Sequence, residues 1–208
     1  MLKSLSTKRI DGLIIMPCQA DRSEDHFVHL LKRHTPIVAL DHAIASVDAP
    51  LVGSDDRRGG ETATRHLLGL VHRHIAHVGV ALEVGEAGMD RERGYEQAMR
   101  EAGCRPEVVR LPHRRLLLEE VMPVLEAWFD SPDARKTTAL FAFNDAMALC
   151  IYAAARRRGI RIDEDMAVVG YGNARSTYSN VPDAMDLLQP TLTSVEQHLG
   201  RWGAAAVD

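Results

Sequence analysis

The sequence is short of the features that mark secreted, membrane-spanning or nucleic-acid-coating proteins. It has three cysteines in 208 residues, Cys18, Cys104 and Cys150. An odd count, wide spacing and no Cys-x-x-Cys pair argue against a disulfide framework or a cysteine zinc site, and fit reduced cytosolic thiols. Long apolar runs are absent: Leu13–Met16 falls far below the roughly 20 residues of a bilayer span. Residues 1–9 have no apolar core, so no secretory signal is read there. No excess of positive charge exists either. The 25 Lys and Arg face 29 Asp and Glu, for a net charge of −4, which excludes a whole-domain basic footprint and leaves room only for a local basic patch. A Gly-x-x-x-x-Gly-Lys-Ser/Thr phosphate loop, a Gly-x-Ser-x-Gly elbow and a His-Glu-x-x-His pair are all lacking. The expectation is a protein that is not an enzyme and carries no cofactor.

What is present is globular: 46% hydrophobic and 26% charged residues, in a length that allows one large domain or two small ones. Short apolar runs at Gly12–Met16, Pro36–Leu40, Ile75–Val80, Val108–Leu111, Ala139–Phe143 and Met166–Tyr171 read as strands. They are rich in Val, Ile and Leu with little alternation, as strands buried on both faces are. Helical patterns lie between them. Gly60–Leu70 carries an apolar stripe, and Met89–Ala102 ends before Gly103. Leu118–Phe129 contains Pro123, so its helix is expected to start near Glu120 or to kink. Asn144–Arg158 has Asn144 or Asp145 as N-cap, three terminal arginines and Gly159 beyond. Strand alternating with helix predicts an α/β fold with parallel sheets.

Ten histidines raise the question of a metal, above all His72, His74 and His77. No third ligand follows at a fixed spacing, so histidines solvated or hydrogen-bonded around a strand start are the better reading, and no metal is expected. A more informative pattern is polar residues just after apolar strands: Asp41, Asp55, Asn144 with Asp145, and Gly172 with Asn173. Ligands of open α/β sheets bind outside the carboxyl ends of strands, and Asp and Asn suit hydroxyl-bearing ligands. Each could equally cap a helix; only the set points to a site. Gly94, early in a helix, signals close packing or a ligand. Arg91 sits in a first turn, where the macrodipole disfavours it. It is explained by an anionic or hydroxyl-rich partner, or by solvent.

In order along the chain, these segments resemble the effector-binding core of LacI/GalR transcriptional regulators, itself similar to periplasmic sugar-binding proteins. Residues 9–17 (RIDGLIIMP) are similar to the family's "VDGIIxxP", and 36–41 (PIVALD) to "iPvVxlD". Residues 66–79 (HLLGLVHRHIAHVG) resemble "hLixxGHrrIahig", and 91–95 (RERGY) match "RxxGy". Residues 139–148 (ALFAFNDAMA) match "AlfaxNDxmAl", 168–173 (VVGYGN) resemble "vvGyDn", and 192–197 (LTSVEQ) resemble "lTTvxq". Each motif is weak alone; seven in order are specific.

The resemblance implies two doubly wound parallel-sheet subdomains with a small-molecule cleft, the first subdomain incomplete. The expected division is 1–79 plus 196–208 for one and 80–195 for the other. Carried over, the effector contacts are Asp55 (or Ser54), Arg91, Asn144, Asn173 and Gln197, with Arg91 offering a two-pronged grip on sugar hydroxyls or a phosphate. Asp55, Arg91 and Asn144 should therefore face one site. The implied partners are a sugar-like effector, operator DNA through a domain absent from this chain, and a second copy in a homodimer, with no membrane partner and a cytoplasmic location. A periplasmic-type sugar-binding protein without a DNA role, and a non-functional truncated reading frame, are the alternatives. Three departures from the pattern stand out. Gly172 stands where the family often has an effector-binding Asp, so weaker sugar recognition, restored by Gly172→Asp, is expected. Val71 replaces a C-cap glycine. The chain also begins just before the Gly12–Met16 strand, which predicts an uncovered apolar edge that pairs or aggregates.

Overall fold

The computed structural model describes residues 10–17, 35–44, 47–80, 86–111, 118–173 and 188–207. Cys18 and residues 1–9 lie outside the described residues. The strands are β1 (Leu13–Ile15), β2 (Ile37–Leu40), β3 (Leu51–Val52), β4 (Ile75–Val80), β5 (Glu107–Leu111), β6 (Ala139–Ala142), β7 (Ala167–Gly172) and β8 (Thr193–Glu196). The helices are α1 (Asp56–Gly69), α2 (Glu86–Glu101), α3 (Leu118–Phe129), α4 (Asp145–Arg157) and α5 (Leu199–Ala205). Among the described residues every strand pairing is parallel. Among the described residues no helix is long and apolar enough to cross a membrane.

Two compact units result: residues 1–54, 85–87 and 198–208, and residues 55–84 and 88–197. The first contains a three-stranded sheet in the order β1-β2-β3, packed around Ile37, Ala39, Ile44 and Val47. Its β1 is an edge strand among the described residues, and Ile14 and Met16 are exposed. Asp41 belongs to this unit, in a left-handed conformation (φ 68°).

The second unit is a five-stranded sheet in the order β5-β4-β6-β7-β8. Its central strands β4, β6 and β7 are buried on both faces, which is why they read as continuous apolar runs. On one face Ile75, Phe141, Val169 and Tyr171 pack with Ala63 and Leu67 of α1 and Tyr95 and Met99 of α2. On the other, Ala76, Val78, Leu140 and Val168 pack with Leu125 of α3 and Met147 and Ile151 of α4. This topology corrects the expected boundary after Gly79. The strand containing Gly79 pairs with both β5 and β6, so α1 and β4 belong to the second unit and the division falls after Ser54. The second division falls after Gln197.

Local departures have local causes. The α3 helix starts at Leu118 and runs through Pro123, earlier than the proline alone suggests. Gly94 is a packing glycine: a Cβ there would lie 2.0 Å from the Arg57 carbonyl oxygen, and one at Gly60 would lie 2.1 Å from that of Arg91. The backbones of α1 and α2 touch at these two points. The end of α1 forms a Schellman cap, with Val71 N–H donating to the Leu68 carbonyl (3.0 Å) and His72 N–H to that of Leu67 (3.2 Å). The left-handed position, φ 70°, falls on Val71, a β-branched residue for which that region is strained.

His77 points to the α1–α2 face, opposite Ala76 and Val78, as its place in β4 predicts. It is fully buried, stacked on Tyr95 and Phe141. Its Nδ1 lies 2.9 Å from the Phe141 carbonyl oxygen and therefore carries the hydrogen, and Nε2 has no hydrogen-bond partner among the described residues. Burial pushes its pKa down from 6.5 to about 4, aided by the Arg91 and Arg110 charges and opposed by the bond to Phe141.

Two outcomes follow for stability. Val71→Gly should stabilise the protein by about 1 kcal/mol, raising Tm by roughly 2–4 °C; a neutral or destabilising result in a thermal melt would refute the strained cap. For His77, the unfolded chain binds a proton between about pH 6.5 and 4 while the folded chain does not. Stability should therefore fall as pH falls through that window, by about 3 kcal/mol in all. Urea unfolding at pH 7.5 and pH 4.5 should show a smaller pH effect in His77→Phe than in wild type; equal effects in the two would show that His77 does not titrate this way.

Candidate functional site

In the five-stranded sheet the chain leaves β4 toward β5 on one side and returns as β6 on the other. The carboxyl ends of β4 and β6 therefore form a topological switch point, where ligands of open α/β sheets bind. α2 starts after β4 and α4 starts directly after β6. The start of α1 lies at the same edge, because a Cβ on its Gly59 would strike the Tyr171 hydroxyl at the end of β7 (2.3 Å).

Arg91, from the second turn of α2, is at the centre of this edge. Its Nε donates to Asp56 Oδ1 (2.7 Å) and its Nη1 to the Phe143 carbonyl oxygen (3.0 Å). The guanidinium carbon lies 3.9 Å from the centroid of the Tyr171 ring and 5.0 Å from that of Phe143. The Arg91 and Asp56 side chains are only 7% and 6% exposed. Burial, and then the Asp56 carboxylate, push the Tyr171 hydroxyl to a higher pKa, with Arg91 opposing; the hydroxyl stays protonated at any physiological pH. The macrodipole mismatch noted for Arg91 is thus answered by a carboxylate of the protein itself. Two of its five donors are committed, so the two-pronged grip expected of it is reduced to the remaining Nη hydrogens.

The other expected residues occupy the same edge. Asp55 is exposed and caps α1, accepting from Arg58 N–H (2.9 Å). Asn144 caps α4, its Oδ1 accepting from Met147 N–H (2.8 Å), which leaves its Nδ2 hydrogens facing away from the capping bond. Both are caps by geometry, as each read singly suggests. Asn173 follows β7 with φ 48°. Its N–H donates to Ser194 Oγ (3.0 Å) and its Nδ2 to Glu196 Oε2 (2.5 Å). Ser194 Oγ in turn donates to Asp145 Oδ1 (2.6 Å), and a Cβ on Gly170 would meet that same oxygen at 2.3 Å. Gln197, half-buried, follows β8 directly.

The edge thus holds two polar groups: Arg91, Asp56 and Tyr171 on the α1–α2 side, and Asn144, Asp145, Ser194, Asn173 and Glu196 on the α4 side. The backbone of Phe143 and Asn144 joins them. No hydrogen bond links Asp55 directly to Arg91 or Asn144 among the described residues. Sequence reasoning missed Asp56, Tyr171, Ser194 and Glu196 as members. The available signal was position, since Asp56 adjoins a chosen residue and Tyr171 and Glu196 lie within the last two residues of their strands; Ser194, second in β8, carried no such signal. Gly172 has φ 118°, a conformation L side chains rarely adopt, so Gly172→Asp would strain the backbone rather than simply restore a contact. Among the described residues no three His, Cys, Asp or Glu side chains are grouped to hold a metal.

Comparison with known proteins places this geometry. A family model for a periplasmic binding protein-like domain matches residues 64–208. An HTH-type transcriptional repressor, PurR from Aliivibrio fischeri (strain MJ11), is 31% identical over 214 aligned residues, covering 100% of this chain and 58% of that relative. A LacI-family regulatory protein from Chloroflexus aggregans superposes with a TM-score of 0.77 at 28% identity, over 95% of this chain and 66% of that one. A LacI-family transcriptional regulator from Enterococcus faecium, solved with bound ribose, gives a TM-score of 0.78 at 25% identity, over 99% of this chain and 71% of that one. This chain therefore spans under two thirds of the curated relative's length. It belongs to the periplasmic binding protein-like domain family, and over nearly all of its length it is similar to LacI-family regulators.

Proposed function

We propose that the chain senses a small polyhydroxylated effector, a sugar or sugar derivative, at the carboxyl edge of its five-stranded sheet. The observation that carries this reading is the collection of Arg91, Asn144, Asn173 and Gln197 around one switch point, from elements far apart in sequence. Hydroxyl groups both donate and accept, and this edge offers both complements: Asn144 Nδ2 and Arg91 Nη as donors, Asp55 and Glu196 carboxylates as acceptors. The partly buried Phe143 ring supplies apolar surface beside Arg91, as ligand sites usually do. The similarity to the ribose-bound Enterococcus faecium regulator supports the same class of ligand. In the whole regulator, operator DNA would be read through a helix-turn-helix segment outside residues 1–208, in a cytoplasmic homodimer, and the effector would change that DNA affinity by preferring one conformation of the core. The reading includes no chemical step.

A panel of neutral pentoses and hexoses, scanned by thermal shift and then calorimetry, tests this. A ligand present at 100 times its Kd should stabilise the chain by about 2.7 kcal/mol. Asn144→Asp keeps the capping oxygen and removes the Nδ2 donor, so it should leave the unliganded Tm within about 2 °C and weaken binding at least tenfold. Absence of any response across the panel, or undiminished binding by Asn144→Asp, would contradict the assignment.

A further inference from the structure

The arrangement around Arg91 bears on the charge of the ligand. An arginine at a switch point, beside two helix starts, is ordinarily the make-up of an anion site. Here the cation is already answered. Asp56 holds Arg91 Nε at 2.7 Å with both side chains buried, where the attraction between them is little screened. An incoming phosphate or carboxylate would meet an ion pair of zero net charge, with the Asp56 carboxylate directly behind the guanidinium.

The helix starts are answered as well. α1 begins with Asp55 as cap and Asp56 as first residue, and α4 begins with Asp145. Each places a carboxylate of the protein where the positive end of the helix dipole would otherwise attract a ligand anion. The Tyr171 ring stacks on the guanidinium and its hydroxyl lies against Asp56. Gly59 has no side chain and so admits that hydroxyl. The pair is therefore clamped from the sheet side as well as from α1.

We infer that Asp56 is a specificity-determining residue: by neutralising Arg91 it sets the site for uncharged polyhydroxyl ligands and against phosphorylated or acidic sugars. This rests on the reading that the edge binds a sugar-like effector, and narrows it. Arg91 then acts through its uncommitted Nη hydrogens as a hydrogen-bond donor to hydroxyls, without offering net charge. Asp56→Asn keeps an oxygen in place for Arg91 Nε while removing the opposing charge, so it should convert the site toward anions.

The test titrates D-ribose, D-ribose 5-phosphate and inorganic phosphate into wild type and Asp56→Asn by calorimetry, with thermal shift in phosphate against chloride at equal ionic strength. Wild type is expected to bind ribose at least tenfold more tightly than ribose 5-phosphate. Asp56→Asn is expected to reverse that order and to gain a phosphate-dependent rise in Tm that wild type lacks. Wild type binding ribose 5-phosphate as tightly as ribose, or tighter, would overturn the inference and leave the sugar site standing; this comparison needs no variant to fold. A folded Asp56→Asn that keeps the wild-type order would also overturn it. Failure of both sugars to bind either protein would instead overturn the underlying assignment of the site.

Discussion

The buried pair between Arg91 and Asp56 is the constraint on which the carboxyl edge of the sheet is built. Removing two charges from water is costly, and their attraction offsets that cost only when geometry is good and the remaining donors are satisfied. The surroundings meet those conditions. Asp56 is delivered by the first residue of α1, the Phe143 carbonyl takes a second guanidinium hydrogen, and the Tyr171 ring covers the face. The glycines follow from the same demand. For Asp56 to reach Arg91, α1 and α2 must approach until backbone meets backbone, which Gly60 and Gly94 permit, and Gly59 must admit the Tyr171 hydroxyl. Any side chain at these positions would push the carboxylate away from the guanidinium.

Holding Arg91 in this way has consequences for recognition. Its carbonyl contact lies on Phe143, one residue before Asn144, so the pair and the α4 cap are fixed relative to each other by a single peptide unit. On the far side of that unit, Ser194 ties Asp145 to the backbone of Asn173. Donors and acceptors from four connections are thereby held in place before a ligand arrives, which lowers the ordering cost of binding. Rigidity here is a property of the second unit alone, since every one of these residues lies within it.

Much of the second unit was legible in the sequence because its central strands are buried on both faces and its helices carry ordinary start and stop signals. Asn144 as cap and Gly103 and Gly159 past helix ends could be read from residue type, while the left-handed position at Val71 was legible only through the glycine that the resembling motif carries there. The domain boundary could not. Nothing local distinguishes a strand at the centre of one sheet from a strand at the end of another, and the pairing of β4 with both β5 and β6 is a long-range fact. The site was half legible for a similar reason. Motif positions gave Asp55, Arg91, Asn144, Asn173 and Gln197, but not that Arg91 spends its Nε on the carboxylate next to the chosen one. Two adjacent aspartates at a helix start look alike in sequence; only the helix phase turns Asp56 inward and leaves Asp55 exposed as the cap.

The most direct measurement is a double-mutant cycle on folding stability, using Asp56→Ala, Arg91→Ala and the double variant in urea unfolding at neutral pH and at two salt concentrations. If the pair organises this edge, each single variant loses several kcal/mol because it strands a buried charge. The double variant then loses much less than their sum, with a coupling of about 2 kcal/mol or more that high salt barely changes. Single losses that simply add, within about 0.5 kcal/mol, or a coupling that disappears in salt, would show that Asp56 and Arg91 are independent surface charges, and the account of the edge would fail.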